Sequence, residues 1–224
     1  MIVRTGPPPK LDQYAYSVRV ERLSHAHDKT EQRILNAAIK LFATRGYAAT
    51  GIRPIADAAG VTTSSMYYYA RTKSDLLISV MSTGLGELLA SGREVVAHSD
   101  DPFEQIRGLI KVNATFGASN PERARVIDNE LQWLRDEGRS LVFSLRDSYE
   151  QLWADAIASG VEKGEFHVRS ASLARLALIE MCNGPAHWYR PDGAMTLDEI
   201  IAAFQDMASA LLRTEQFDPK SSSR

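Results

Sequence analysis

Hydroxyl and phenol side chains crowd one short stretch of the chain, where they could form hydrogen bonds on a shared surface. Residues 61–70 read V-T-T-S-S-M-Y-Y-Y-A. Its four threonines and serines are small enough for the backbone to approach a partner closely, and their hydroxyls suit phosphates or base edges. At helical spacing one tyrosine packs inward while others present phenols outward. The candidate contact residues of this stretch are Thr62, Thr63, Ser64, Ser65, Tyr67 and Tyr68.

The surrounding pattern predicts a helix-turn-helix. A short helix over about 53–59 ends at Gly60, where the chain needs a left-handed turn, and the next helix begins after Val61. Such a second helix can enter a major groove with its N-terminal residues toward base edges. Arg53 could bind guanine in a bidentate manner, and Lys73 opens a fourth helix whose N-terminus could meet a phosphate.

Helical periodicity continues along the chain, and no sustained alternation of a strand appears. We expect the first helix to be capped by Asp28 or Thr30 and to end at Gly46, and we expect Gly138 to separate two body helices. The predicted fold is all-α, with a three-helix N-terminal head and a larger helical body. The body helices are expected at about 103–118, 122–136, 139–162, 170–189 and 197–213.

Composition excludes several classes of protein. Hydrophobic residues make up 44% and charged residues 24% of the 224 positions, as in ordinary globular proteins. No apolar run is long enough for a membrane helix, and the N-terminus lacks a signal-peptide core, so we expect a cytoplasmic protein. Cys182 is the single cysteine, which rules out an intrachain disulfide. An all-helical enzyme would need a catalytic motif that the sequence lacks, and we expect no metal or cofactor.

Charge is distributed unevenly, which indicates a polyanion partner at one end. Residues 1–77 carry eleven lysines and arginines against six acidic residues, while the remainder carries fifteen against twenty-two. The predicted units are an extension (1–27), the helix-turn-helix head (28–77), a larger helical body (78–217) and a tail (218–224). The extension is either a disordered tail or a basic arm for the minor groove, formed by Arg4, Lys10, Arg19 and Arg22.

A resemblance covers the whole head. Residues 30–77 resemble the DNA-binding domain of the tetracycline-repressor (TetR) family of bacterial transcription regulators, with matches spread from Thr30 and Arg33 to Lys73 and Leu76. The pattern departs at Ala70, where family members usually carry phenylalanine. The resemblance implies a dimeric regulator of double-stranded, palindromic operator DNA. It also implies DNA contacts by Thr50, Arg53, Thr63, Ser65, Tyr67, Tyr68 and Lys73.

The body resembles one subset of that family. Residues 160–166, 181–193 and 196–201 are similar to members that sense acyl-CoA thioesters in fatty-acid or steroid breakdown, and residues 125–134 resemble their central helix. The resemblance implies repression that a CoA thioester relieves. The alternative is a repressor of an efflux or detoxification operon that senses drugs or other aromatic molecules.

Two functional surfaces are expected in the body. Helices 170–189 and 197–213 carry long apolar faces, which would form either a two-fold four-helix interface between two copies or part of the monomer core. An effector cavity is expected among the central helices. Its candidate lining residues are Leu85, Leu89, Phe116, Leu131, Leu134, Tyr149, Leu152, Trp153, Leu178 and Cys182, with Asn113, Asn183 and His187 as polar contacts.

Overall fold

The computed structural model describes residues 29–213. Within that range it contains ten α-helices, one turn of 3-10 helix and no β-strand, which confirms the all-α prediction. None of the helices in this range is long and apolar enough to cross a membrane. The predicted basic arm, the tail and the possible Asp28 cap lie outside the described residues.

Three helices form the head: α1 (Lys29–Arg45), α2 (Ile52–Ala59) and α3 (Thr63–Tyr69). Thr30 lies inside α1, so its prediction as the cap was wrong. Gly46 ends α1 with a left-handed backbone (φ 80°), as predicted, because glycine adopts that conformation at little cost. The apolar face of α1 is buried at Ile34, Ala38 and Phe42.

Seven helices and the 3-10 turn follow the head. A helix of 26 residues opens this part of the chain and a helix of 27 residues runs near its middle, and these two pack extensively on each other. The elements are α4 (Lys73–His98), α5 (Pro102–Ser119), α6 (Pro121–Asn129), the 3-10 turn (Leu131–Trp133), α7 (Asp136–Glu162), α8 (Ala171–Asn183), α9 (Pro185–Trp188) and α10 (Leu197–Leu212).

Helix α4 belongs to both head and body. Its start is fixed by a capping box, in which the Thr72 hydroxyl accepts the Asp75 N–H (3.1 Å) and the Asp75 carboxylate accepts the Thr72 N–H (3.0 Å). Beyond the cap, Leu77 and Leu89 are both buried, three turns apart. The helix contacts α1 in the head and α7 in the body. A shift of α4 would therefore move residues in both the head and the body.

The predicted helix 122–136 is wrong in its second half. Helix α6 ends at Asn129, the 3-10 turn follows, and Asp136 opens α7 with a positive φ of 48°. The Arg135 guanidinium holds the break, because it donates to the carbonyls of Gln132 (2.6 Å) and Leu134 (2.9 Å). Neither glycine nor proline marks this break. The apolar periodicity of the sequence therefore continues across it and predicted a single helix.

Two other expected boundaries also differ. Gly138 lies inside α7 and separates nothing; a Cβ there would come within 2.2 Å of the Ile78 side chain. Because glycine has no side chain, α7 can approach α4 closely at this position. The predicted helix 170–189 is divided at Gly184, because Pro185 starts a separate short helix.

Candidate DNA-binding surface and effector region

The turn between α2 and α3 depends on Gly60. Its φ of 64° is left-handed, and it donates to the Asp57 carbonyl (3.0 Å) while Val61 donates to the Ala56 carbonyl (3.0 Å). These bonds satisfy carbonyls that would be left free at the end of α2. Val61 is partly buried against the core. The turn thus forms as the sequence predicted.

Helix α3 turns one face inward and one outward. Met66 is fully buried and Tyr69 is partly buried, so Tyr69 is the inward-facing tyrosine. Tyr68 is 87% exposed and Tyr67 52% exposed. The Thr62 hydroxyl caps the helix, because it accepts the Ser65 N–H (3.1 Å). The outward face therefore offers phenols and hydroxyls, and its exposed members are Ser64, Ser65, Tyr67 and Tyr68.

Thr50, a predicted DNA contact, is buried just after α1. It is only 2% exposed, and its hydroxyl donates to the Gly46 carbonyl (2.8 Å), with the Leu41 carbonyl at 3.3 Å. Its hydroxyl proton is therefore used within the protein, and its contact with DNA stays a prediction. Thr50 fixes the loop between α1 and α2.

The two predicted cations differ in their surroundings. Arg53 is exposed in the first turn of α2, where a guanidinium can reach outward. Lys73 is partly buried: its ammonium donates to the Tyr47 carbonyl (2.8 Å) and lies 4.0 Å from the centre of the Tyr47 ring. An ammonium has three donors, so a phosphate contact by Lys73 stays a prediction. Its anchoring role was not foreseen.

Arg33 is a second positioning residue of the head that sequence reasoning left without a role. From α1, its guanidinium donates to the carbonyls of Ala59 and Gly60 at the end of α2. Cationic donors at a helix C-terminus satisfy free carbonyls and complement the helix dipole. Arg33 thereby fixes the angle at which the chain enters α3. Its match to the family pattern was the only available signal.

The predicted effector residues lie in the body at different depths. Asn113 is buried and its amide donates to the Asn183 oxygen (3.1 Å), which joins α5 to α8. Phe116, Leu131 and Asn183 are partly buried, and His187 is exposed. The buried members are Leu85, Leu89, Leu134, Tyr149, Trp153, Leu178 and Cys182. A groove of about 500 Å³ between Val96, Gln105 and Lys163 is lined by one of the predicted residues, the partly buried Leu152.

Two enclosed donors stand out in this region. The Tyr149 hydroxyl and the Trp153 indole N–H lie one turn apart on α7, with ring centres 6.5 Å apart, and neither makes a hydrogen bond of good geometry within the described residues. Burial raises the pKa of Tyr149 and raises the pKa of the Cys182 thiol to about 12, so both stay protonated. An oxygen atom of a bound molecule would satisfy such donors.

An ionisable cluster links α6, α7, α8 and α9. Burial raises the pKa of Asp128 to about 6; Arg146 opposes the shift and Glu180 adds to it. The His187 imidazole lies 4.0 Å from the Asp128 carboxylate. No group of three histidine, cysteine, aspartate or glutamate side chains suitable for a metal ion occurs between residues 29 and 213.

A short helix, a glycine turn and an outward helix with exposed phenols define a DNA-binding regulator of the helix-turn-helix class. Residues 34–80 match the family model described as "Bacterial regulatory proteins, tetR family", and residues 99–212 match "Tetracyclin repressor-like, C-terminal domain". The second match alone covers half of the chain. The protein belongs to the TetR family, and is therefore a transcription regulator and not an enzyme.

Named relatives agree with this assignment. The chain is 29% identical over 196 residues to the HTH-type transcriptional repressor KstR2 of Rhodococcus jostii, covering 87% of this chain and 91% of the relative. The structure of the ketosteroid transcriptional regulator KstR2 of Mycobacterium tuberculosis superposes with a TM-score of 0.76 at 23% identity, covering 84% and 97%. The complex of AibR with isovaleryl coenzyme A and operator DNA superposes with a TM-score of 0.73 at 22% identity, covering 80% and 97%.

Replacement of Tyr68 tests the outward face of α3. We expect Tyr68→Phe to weaken binding to a DNA duplex that the wild-type protein has selected from a random pool. The loss should be about three- to tenfold, since one neutral hydrogen bond contributes about 0.5–1.5 kcal/mol. Tyr68→Ala should weaken it further, while the melting temperature stays unchanged because the side chain is exposed. Fluorescence-anisotropy titration measures the affinity. Wild-type affinity in both variants would remove Tyr68 from the DNA-binding surface.

Asp128 predicts a pH dependence of stability. Its pKa of about 6 in the folded chain exceeds the ordinary value of 3.8, so the folded state binds this proton more tightly than the unfolded state. The contribution is present below about pH 4 and is lost as pH rises through 6. It amounts to at most about 3 kcal/mol, less at a partly exposed site. Urea unfolding from pH 4 to 7 should show this loss in the wild type and not in Asp128→Asn; parallel curves would contradict it.

Proposed function

We propose that the protein is a repressor that binds palindromic operator DNA as a homodimer and is released by a CoA thioester of lipid or steroid breakdown. The observation that carries the proposal is the outward face of α3, set by the Gly60 turn within a TetR-family chain. A regulator of this kind acts in the cytoplasm, where the chromosome lies. The head and the body supply separate parts of the argument.

The head supports binding to a polyanion. The extension and the head together, residues 1–77, hold the basic excess, while the rest of the chain is acidic. Arg53 and the exposed hydroxyls of α3 could make two kinds of contact with DNA, one to phosphates and one to base edges. We assign phosphate contacts to Ser64, Tyr67 and Lys73, and base-edge reading to Arg53, Ser65 and Tyr68.

Apolar residues exposed on the last two long helices support a homodimer. Leu173 and Leu176 on α8 are 67% and 44% exposed, and Met207 on α10 is 56% exposed. Helices α8 and α10 also contact each other, so their exposed faces are adjacent. Two copies of such a pair would bury these side chains in a four-helix interface. A dimer would also present two α3 helices to the two halves of a palindrome.

The body supports an effector with an apolar part and at least one acceptor oxygen. Leu89, Leu178 and Phe116 offer apolar surface among α4, α5 and α8. The Tyr149 hydroxyl and the Trp153 N–H could bind a thioester or ring oxygen. The names of the relatives point the same way, since KstR2 is a ketosteroid regulator and AibR binds isovaleryl coenzyme A. An acyl-CoA of lipid or steroid origin joins both features in one molecule.

Replacement of Leu173 tests the dimer. In a monomer Leu173→Glu places a charge in water at little cost, whereas in a four-helix interface it buries an unpaired charge. Sedimentation should therefore change from about twice 24.8 kDa in the wild type to the monomer mass in the variant, and DNA affinity should fall. Ala90→Glu, a charge added at an exposed site on α4, is the control and should remain dimeric. A dimeric Leu173→Glu variant would place the interface elsewhere.

Effector identity is tested by titrating operator DNA in the presence of CoA thioesters, the free acids and aromatic cations. We expect a long-chain or steroid-derived thioester to weaken DNA binding by about 5- to 150-fold, and operator DNA to weaken thioester binding by the same factor. Tyr149→Phe keeps the shape and removes the hydroxyl. It should weaken thioester binding about three- to tenfold and leave DNA affinity without effector unchanged.

Release by aromatic cations and by no thioester would contradict this proposal and favour the drug-sensing alternative. A wild-type response in Tyr149→Phe would contradict the role of the hydroxyl alone. The two results are separable, because the first concerns the class of effector and the second its position.

A further inference from the structure

We propose that Glu130 is a positioning residue for DNA binding, through which the body holds the head at Tyr47. Glu130 lies at the end of α6 in the body, and Tyr47 lies just after α1 in the head. The Glu130 carboxylate accepts the Tyr47 N–H (3.2 Å), and Glu130 is only 8% exposed. The inference rests on the DNA-binding function proposed above and adds the contact that orients the head.

The backbone carbonyl and the ring of Tyr47 make further contacts. Its carbonyl accepts a hydrogen bond from the Lys73 ammonium (2.8 Å), which also lies 4.0 Å from the centre of its ring, and the Trp133 ring centre is 5.9 Å from that of Tyr47. Trp133 belongs to the 3-10 turn that follows Glu130. The break after α6 thus gives Tyr47 two contacts from the body, one polar and one aromatic.

The same residue fixes the loop that leads to α2. The Thr50 N–H donates to the Tyr47 carbonyl (3.2 Å), and the Thr50 hydroxyl donates to Gly46 (2.8 Å). Helix α2 begins two residues later at Ile52. Displacement of Tyr47 would therefore displace the start of the helix-turn-helix.

Helix α6 connects this junction to the effector region. It contacts α1 in the head and α4, α5 and α9 in the body. Asp128 and Glu130 lie two residues apart at its C-terminal end, with Asp128 near His187 of α9. A molecule that moves α6 relative to α1 would pull the Glu130 carboxylate away from Tyr47. Coupling between sites requires two states that both sites bias, and in this proposal they are the made and the broken contact between Glu130 and Tyr47.

The hydrogen bond is tested with Glu130→Ala and Glu130→Gln. Alanine removes the acceptor, and we expect operator affinity to fall about tenfold, within the usual range of coupling between sites. Glutamine keeps an acceptor oxygen and should retain most of the affinity. Glu122→Ala, at the other end of α6, is the matched control and should bind as the wild type does. The slope of log affinity against log salt should stay the same in every variant, because no phosphate contact is lost.

A second readout does not depend on DNA. Trypsin can cut after Arg45, next to the junction, and release of Tyr47 should make this cut faster in Glu130→Ala than in Glu122→Ala at equal global stability. If the wild type selects no DNA from a random pool, the DNA-binding function fails while the trypsin result still tests the junction. Wild-type affinity together with wild-type cleavage in Glu130→Ala would overturn the proposal, as would a glutamine variant as weak as the alanine one.

Discussion

The hydrogen bond between the Tyr47 N–H and the Glu130 carboxylate joins the two parts of the molecule whose relative position governs DNA binding. This bond connects two residues that lie 83 positions apart in the sequence. A charged acceptor makes a stronger bond than a neutral one, and burial shields it from water. The Lys73 ammonium and the Trp133 ring add contacts on the same tyrosine. Helix α4 connects the head to the body through its contacts with α1 and α7, and the bond between Tyr47 and Glu130 sets the angle between them.

Sequence reasoning predicted the local features that carry their own signals. Gly46 and Gly60 were each expected to end a helix, and both adopt the left-handed backbone of such ends. It was incomplete where a side chain binds backbone carbonyls that no sequence pattern marks. The Thr50 hydroxyl donates to carbonyls near the end of α1, and the break at Glu130 has neither glycine nor proline to mark it.

The candidate effector region divides in the same way. Apolar spacing indicated which helices build the interior, and Leu89, Leu178 and Cys182, which were expected to line an effector cavity among them, are buried. Spacing could not indicate that Asn113 pairs with Asn183, or that the Tyr149 hydroxyl is enclosed without a well-formed partner. Those facts depend on how α5, α7 and α8 meet. They matter for function because polar groups inside an apolar region select the ligand's oxygen atoms, whereas apolar lining mainly selects its size.

The central claim, that the body holds the head through Tyr47, is tested most directly by residue-resolved hydrogen exchange of the Tyr47 amide in the wild-type protein. An N–H that donates to a buried carboxylate exchanges only when the junction opens. We expect slow exchange at Tyr47, comparable with that of the Gly46 amide, which donates to the Phe42 carbonyl (3.0 Å), and faster exchange when a releasing effector is bound. Exchange at Tyr47 as fast as an unprotected loop amide, with or without effector, would contradict it.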